Sequence, residues 1–146
     1  MSDVRTAITS GGSLTLHGLL VPFPIVCFVG ALFADIAYVQ TLDFMWANFA
    51  VWLLAFGLIF GALAALTGII DFVRKPRVRK QAIGWVHALG NDTAMLLALI
   101  NAFVHSRDGY TAVVPAGISL SVATVLILLV TVPLGKRIAT QRELAR

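Results

Sequence analysis

Residues 44–70 read FMWANFAVWLLAFGLIFGALAALTGII and carry no charged side chain. As an α-helix this run is about 40 Å long at 1.5 Å per residue, more than the roughly 30 Å hydrocarbon core of a bilayer. Inside lipid every backbone N–H and C=O must be satisfied within the segment, which a helix does. The run ends at Asp71 and then enters the basic cluster Arg74, Lys75, Arg77, Arg79 and Lys80. A cluster of this kind marks the cytoplasmic side of a membrane.

The rest of the chain follows the same pattern. Of its 146 residues, 59% are hydrophobic and 12% charged. Soluble domains are nearer half apolar and a quarter charged, so composition alone indicates a membrane protein. Spans are expected at about 14–39, 46–73, 82–105 and 113–134, forming one transmembrane domain over residues 14–135. This length holds four spans and leaves no room for a soluble catalytic domain. The net charge of +4 sits at the membrane edges. There it sets orientation and meets anionic headgroups, so it is not a nucleic-acid signal. Cys27 is the single cysteine, which excludes an intrachain disulfide.

Residues 1–13 read as a polar cytoplasmic tail. Arg5 is balanced by Asp3, and no small-x-small site precedes a soluble segment, so a cleaved signal is not expected. In the first span Pro22 and Pro24 place the start of the regular helix near Pro22, with His17 just before it at the interface. Residues 136–146 form a basic tail. With four spans, the N-terminus, the 74–80 loop and the C-tail share one side. They hold ten of the 11 Lys and Arg residues, and the other side holds Arg107 alone. Both termini are therefore expected in the cytoplasm.

Gly57 and Gly61 form a GxxxG in the second span, continued by Ala64 and Gly68. Small residues let two helix backbones approach closely, either within the bundle or across a homodimer seam. The third span has the clearest polar pattern. His87, Asn91, Ala94, Ala98, Asn101 and His105 recur at spacings of four and three. All lie within about 40° of one meridian, a face expected to point into the bundle. Interhelical hydrogen bonding is the simplest use of that face. Asp92 is rotated about 140° from His87. It needs its own partner, or it carries its proton within the membrane.

Topology sets these groups at two depths. His17, Asp71 and His87 fall near the cytoplasmic edge; Asp35, Asp43, His105 and Asp108 fall near the opposite one. Two imidazoles on facing helices are a ligand set for haem b, so His17 and His87 are candidate haem or metal ligands, with Asp71 to orient one of them. His17 with Asp71 is equally an ion pair pinning the first two spans. Asp35, Asn91 and Asp92 are candidates for a proton or ion path. Too few ligands converge for a divalent-metal site. There is no phosphate-cradling loop, nucleotide fingerprint, CxxCH or nucleophile elbow, so no catalytic residue is assigned.

The run His17-Gly18-Leu19-Leu20-Val21-Pro22-Phe23-Pro24, with Asp35 closing its span, resembles a bacterial four-span membrane family known as domain of unknown function 2231. That family opens on His-Pro-x-x-Val-His-Phe-Pro. The resemblance extends over about 14–134 through Gly68-Ile69-Ile70-Asp71 and Trp85-Val86-His87. Gly18 stands where the family has proline and Pro22 where it has a second histidine, so no role for that histidine carries over. The resemblance implies fold and location but no activity; fusion of some relatives to Rieske-type or cytochrome-type domains leans toward electron transfer. The sequence thus reads as an all-α polytopic protein, a four-transmembrane-helix bundle of the bacterial inner membrane. Its expected role is non-enzymatic: a bundle in contact with the lipid bilayer that serves a membrane partner complex and no nucleic acid, with a homodimer through Gly57 and Gly61 as one form. The alternatives are haem-b or quinone-linked electron transfer with a redox partner, and proton or ion conduction.

Overall fold

A computed structural model of the chain describes residues 16–74, 82–107 and 110–144. Among these residues the secondary structure is helical, with no strand. A short helix α1 (Leu16–Leu20) leads into α2 (Pro22–Thr41), followed by α3 (Phe44–Arg74), α4 (Ala82–His105) and α5 (Ala116–Leu144). Four stretches are long and apolar enough to cross a membrane: Leu16–Thr41, Phe44–Ile70, Ala82–His105 and Tyr110–Arg137.

The local reasons are visible in the sequence. Pro22 opens α2, where its missing N–H costs nothing. Leu42 ends that helix in a left-handed conformation (φ 54°), its N–H bonding back to Tyr38 O at 2.7 Å. Asp43 Oδ1 then accepts the Met45 N–H at 2.9 Å, starting α3 within two residues. This tight turn makes α2 and α3 antiparallel neighbours. The fourth span begins later than its hydropathy suggests. A 3-10 turn, Tyr110–Ala112, precedes it, and α5 starts at Ala116, just beyond Pro115.

Around the bundle α2 packs on α3 and α5, and α4 packs on α5 and α3. This closed order hides an internal two-fold relation. Adding 70 to the numbers of the buried residues Pro24, Phe28, Ala31, Ala34 and Asp35 gives Ala94, Ala98, Asn101, Val104 and His105, all buried. Adding 67 to Ala50, Leu54, Gly57, Gly61 and Ala64 gives Gly117, Ser121, Thr124, Leu128 and Thr131, again all buried. The first two spans and the last two are therefore two copies of one packing scheme. An even number of spans per copy makes the repeats parallel, related by an axis along the membrane normal.

The core has two apolar layers. Phe28, Ala31, Leu54, Ala94, Ala98 and Leu128 form the larger. Tyr38, Ala47 and Val113 form the smaller, beyond Asp35 along α2. Gly57 and Gly61 are buried inside the chain, Gly57 under Phe28 and Gly61 under Met95. The GxxxG is thus used between spans of one chain. The homodimer seam expected through these glycines has no free surface, because side chains of α2 and α4 already occupy it.

Candidate functional site

Four polar side chains meet between the two apolar layers. Asp35 comes from α2, Asn101 and His105 from α4 one turn apart, and Ser121 from α5. None is more than 5% exposed. Ser121 Oγ donates to Asp35 Oδ2 at 2.6 Å, and Asn101 Nδ2 donates to Ser121 Oγ at 2.8 Å. His105 Nδ1 faces two acceptors, Asn101 Oδ1 at 3.0 Å and the Asn101 carbonyl at 3.1 Å, so Nδ1 carries a hydrogen. His105 Nε2 lies 2.8 Å from Asp35 Oδ1 with one proton between them, and the ring is closed.

This ring explains how a carboxylate and an imidazole stay inside a bilayer. Each member has its partners, as buried polar groups require. The Asp35–His105 pair is neutral as a whole, which avoids the cost of a lone charge in hydrocarbon. The arrangement differs from a hydrolytic triad: the Ser121 hydroxyl is set against Asp35, while the two His105 nitrogens face Asp35 and Asn101. Asp35 and His105 are also equivalent under the internal two-fold. They are one duplicated position that carries an acid in the first copy and a base in the second, meeting across the axis.

The other two histidines are equivalent in the same way. His17 Nδ1 donates to Ala64 O at 2.8 Å, and His87 Nδ1 donates to Thr131 O at 2.9 Å. Under each ring lies a glycine, Gly68 and Gly135, also a related pair. A Cβ on Gly68 would meet the His17 ring at 3.0 Å, and one on Gly135 would meet the His87 ring at 2.7 Å. Each imidazole therefore ties one long span to the next. Asn91 strengthens the α4–α5 tie: its Nδ2 donates to His87 O at 2.7 Å and lies 3.3 Å from His87 Nε2, while its Oδ1 accepts from Thr131 Oγ1 at 3.2 Å.

The expected groups are thus brought together in part. Asp35 and His105 meet, and the small-and-polar face of α4 points inward over its whole length. His17 and His87 share a depth but dock on different helices, α3 and α5. The side chain of Asp71, expected beside them, lies outside the described residues, as does Asp108. Asp35, Asn91 and Asp92 do not line one path: Asp35 is sealed in the ring, Asn91 joins α4 to α5, and Asp92 is exposed on the outer surface. Among the described residues no group of three or more His, Cys, Asp or Glu side chains is placed to hold a metal ion.

Ser121 was not among the residues that sequence reasoning singled out. Its signal lay in the repeat, because it stands where the first copy has buried Leu54. A hydroxyl at a duplicated core position marks a polar partner nearby.

No curated protein and no solved structure matches the chain. One family does, over residues 13–145, nearly the whole chain, and its description agrees with the four apolar helices. The chain belongs to the family described as Predicted membrane protein (DUF2231).

Proposed function

We propose that this protein is a non-enzymatic helical bundle that joins a larger complex in the membrane through the outward face of α4. The observation that carries this reading is Asp92. It lies ten residues into α4, about 15 Å from the start of the helix and so near mid-bilayer, on the exposed side. A carboxylate facing hydrocarbon is costly, and such groups pair with other protein groups. Its neighbours support contact with a helix. Trp85, Leu89, Leu96, Leu99 and Phe103 are exposed and flank Asp92 at spacings of four and three, the period of a helix–helix seam.

A photo-crosslinking residue at position 96 tests this. In native membranes it is expected to give one discrete protein adduct, while one at Phe33, on the exposed side of α2, gives lipid adducts only. Asp92→Leu should lower the protein adduct at position 96 by about five- to thirtyfold, since a polar anchor in the membrane is worth about 1–2 kcal/mol. Lipid adducts alone at both positions would end the proposal.

The proposal includes a location: a bacterial inner membrane, with both termini in the cytoplasm. Its support is the ten-to-one asymmetry of Lys and Arg. Topology reporters inserted at residues 78 and 109 should then read cytoplasmic and external respectively. The same side for both would remove the orientation and the four-span path together.

A further inference from the structure

The internal two-fold relation is broken on the outer surface where α2 meets α5. On one side of the bundle α4 meets α3, where the Met95 thioether presses on Gly61 so closely that a Cβ there would overlap it. On the other side α2 meets α5, and the equivalent residues are Ile25 and Leu128. Leu128 packs against the Phe28 layer and also walls the space beside it. Ile25 is branched at Cβ and stiffer than methionine, so it fills irregular space less readily. A cavity of about 160 Å³ remains between the helices, walled by apolar side chains that include Ile25, Val29, Val125, Leu129 and Val132.

The second break lies just beyond this groove. Exposed Lys136 and Arg137 occupy the positions that Ile69 and Ile70 hold in the first copy. Lys136 follows Val132 by four residues and Leu129 by seven, so it stands on the same face of α5 as the groove wall. It lies about 6 Å further along the axis than Val132, within reach of a lysine that runs its stem along the membrane edge. One side thus carries two exposed cations beside an open groove, while on the other the same positions are isoleucines and the exposed Arg74 stands four residues beyond Ile70.

We propose that the α2–α5 groove binds one anionic phospholipid, an acyl chain lying between Ile25 and Leu129 and the phosphodiester meeting Lys136 and Arg137. The groove's apolar walls suit a hydrocarbon chain, and the paired cations select an anionic headgroup over a zwitterionic one. The two-fold relation explains why one such site is expected per chain: at the equivalent place Met95 fills the space over Gly61, and Ile69 and Ile70 stand at the positions of the two cations.

The test is native mass spectrometry of the full chain, delipidated in a neutral detergent and offered phosphatidylglycerol or phosphatidylcholine with identical acyl chains. The expected result is a single retained phosphatidylglycerol, at least about tenfold more abundant than phosphatidylcholine, and not displaced by inorganic phosphate at equal concentration. The double substitution Lys136→Glu with Arg137→Glu should abolish the preference; both residues are exposed, so the fold is not at stake. The matching pair Arg142→Glu with Arg146→Glu should leave it in place. Val125→Phe, which fills the groove and leaves the charges intact, should lower retention of both lipids. Equal retention of the two lipids would overturn the proposal. So would equal loss from both charge-reversed pairs, which indicates a general pull of the basic tail, or unchanged retention in the filled variant.

Discussion

Asp35→Ala is expected to cost about 3–5 kcal/mol of stability, because it leaves a buried imidazole and a buried hydroxyl without their acceptor. His105→Ala should cost a similar amount by stranding the carboxylate. Reversible unfolding in mixed detergent and SDS would read both, and a loss below about 1 kcal/mol in each would mean that the ring is no anchor. The sharper variant is the exchange, Asp35→His combined with His105→Asp. The two positions are related by the internal two-fold, so the exchanged pair faces across the axis with the same separation and the same net charge. The exchange should cost less than Asp35→His and His105→Asp added together, by a coupling of about 2 kcal/mol. Full recovery is not expected. Asn101 and Ser121 stay on α4 and α5, where Ser121 donates to a carboxylate that has moved to the other helix. If the exchange is as damaging as the two single changes added together, the pair is not a duplicated position in energetic terms.

How much of this was legible in the sequence depends on which residues carry the signal. The spans were, because lipid leaves a backbone so few choices that charge-free length is nearly sufficient. The inward face of α4 was too: His87, Asn91, Asn101 and His105 fall on one meridian, and polar groups in a bilayer turn toward protein. The same logic placed Asp92 off that face, and the structure puts it on the outside. The internal repeat was not legible. Its two copies share burial and hardly any identity: Phe28 answers to Ala98, Leu54 to Ser121, Gly61 to Leu128, Asp35 to His105. A packing scheme conserves which side of a helix is buried and roughly how much volume a layer holds. Large-for-small exchanges across the axis keep that volume while erasing sequence similarity. For the same reason Ser121 looked like a lone hydroxyl in an apolar run until its position in the second copy was known. The backbone of α3 runs through Asp71 to Arg74, and of Asp71 only the side chain lies outside the described residues.

Two glycine substitutions should differ in their effect on stability. A Cβ on Gly117 would come within 2.6 Å of both the Ala112 carbonyl oxygen and His105 Cε1. Neither can give way cheaply. The carbonyl belongs to the turn that feeds α5, and the imidazole is held at Nδ1 and Nε2 by Asn101 and Asp35. Gly117→Ala is therefore expected to cost about 1–3 kcal/mol, the range for overpacking a rigid core. Gly30, inside α2, is a contrast of the same chemical type. There a new Cβ would meet only the tip of Leu53, at 3.3 Å, and a leucine tip can rotate away. Alanine is also up to about 1 kcal/mol better than glycine inside a helix, so Gly30→Ala should be neutral or stabilising. The same unfolding assay compares the two, and a loss at Gly30 as large as at Gly117 would contradict the packing. The origin of the Gly117 cost can also be divided. In a His105→Ala background the ring contact is gone and the carbonyl contact remains, so Gly117→Ala should cost less than in the native chain but more than nothing. An unchanged cost would place all of the strain at the turn. Its disappearance would place it at the imidazole, and with it the reason that α5 can approach the Asp35–His105 ring only where it carries no side chain.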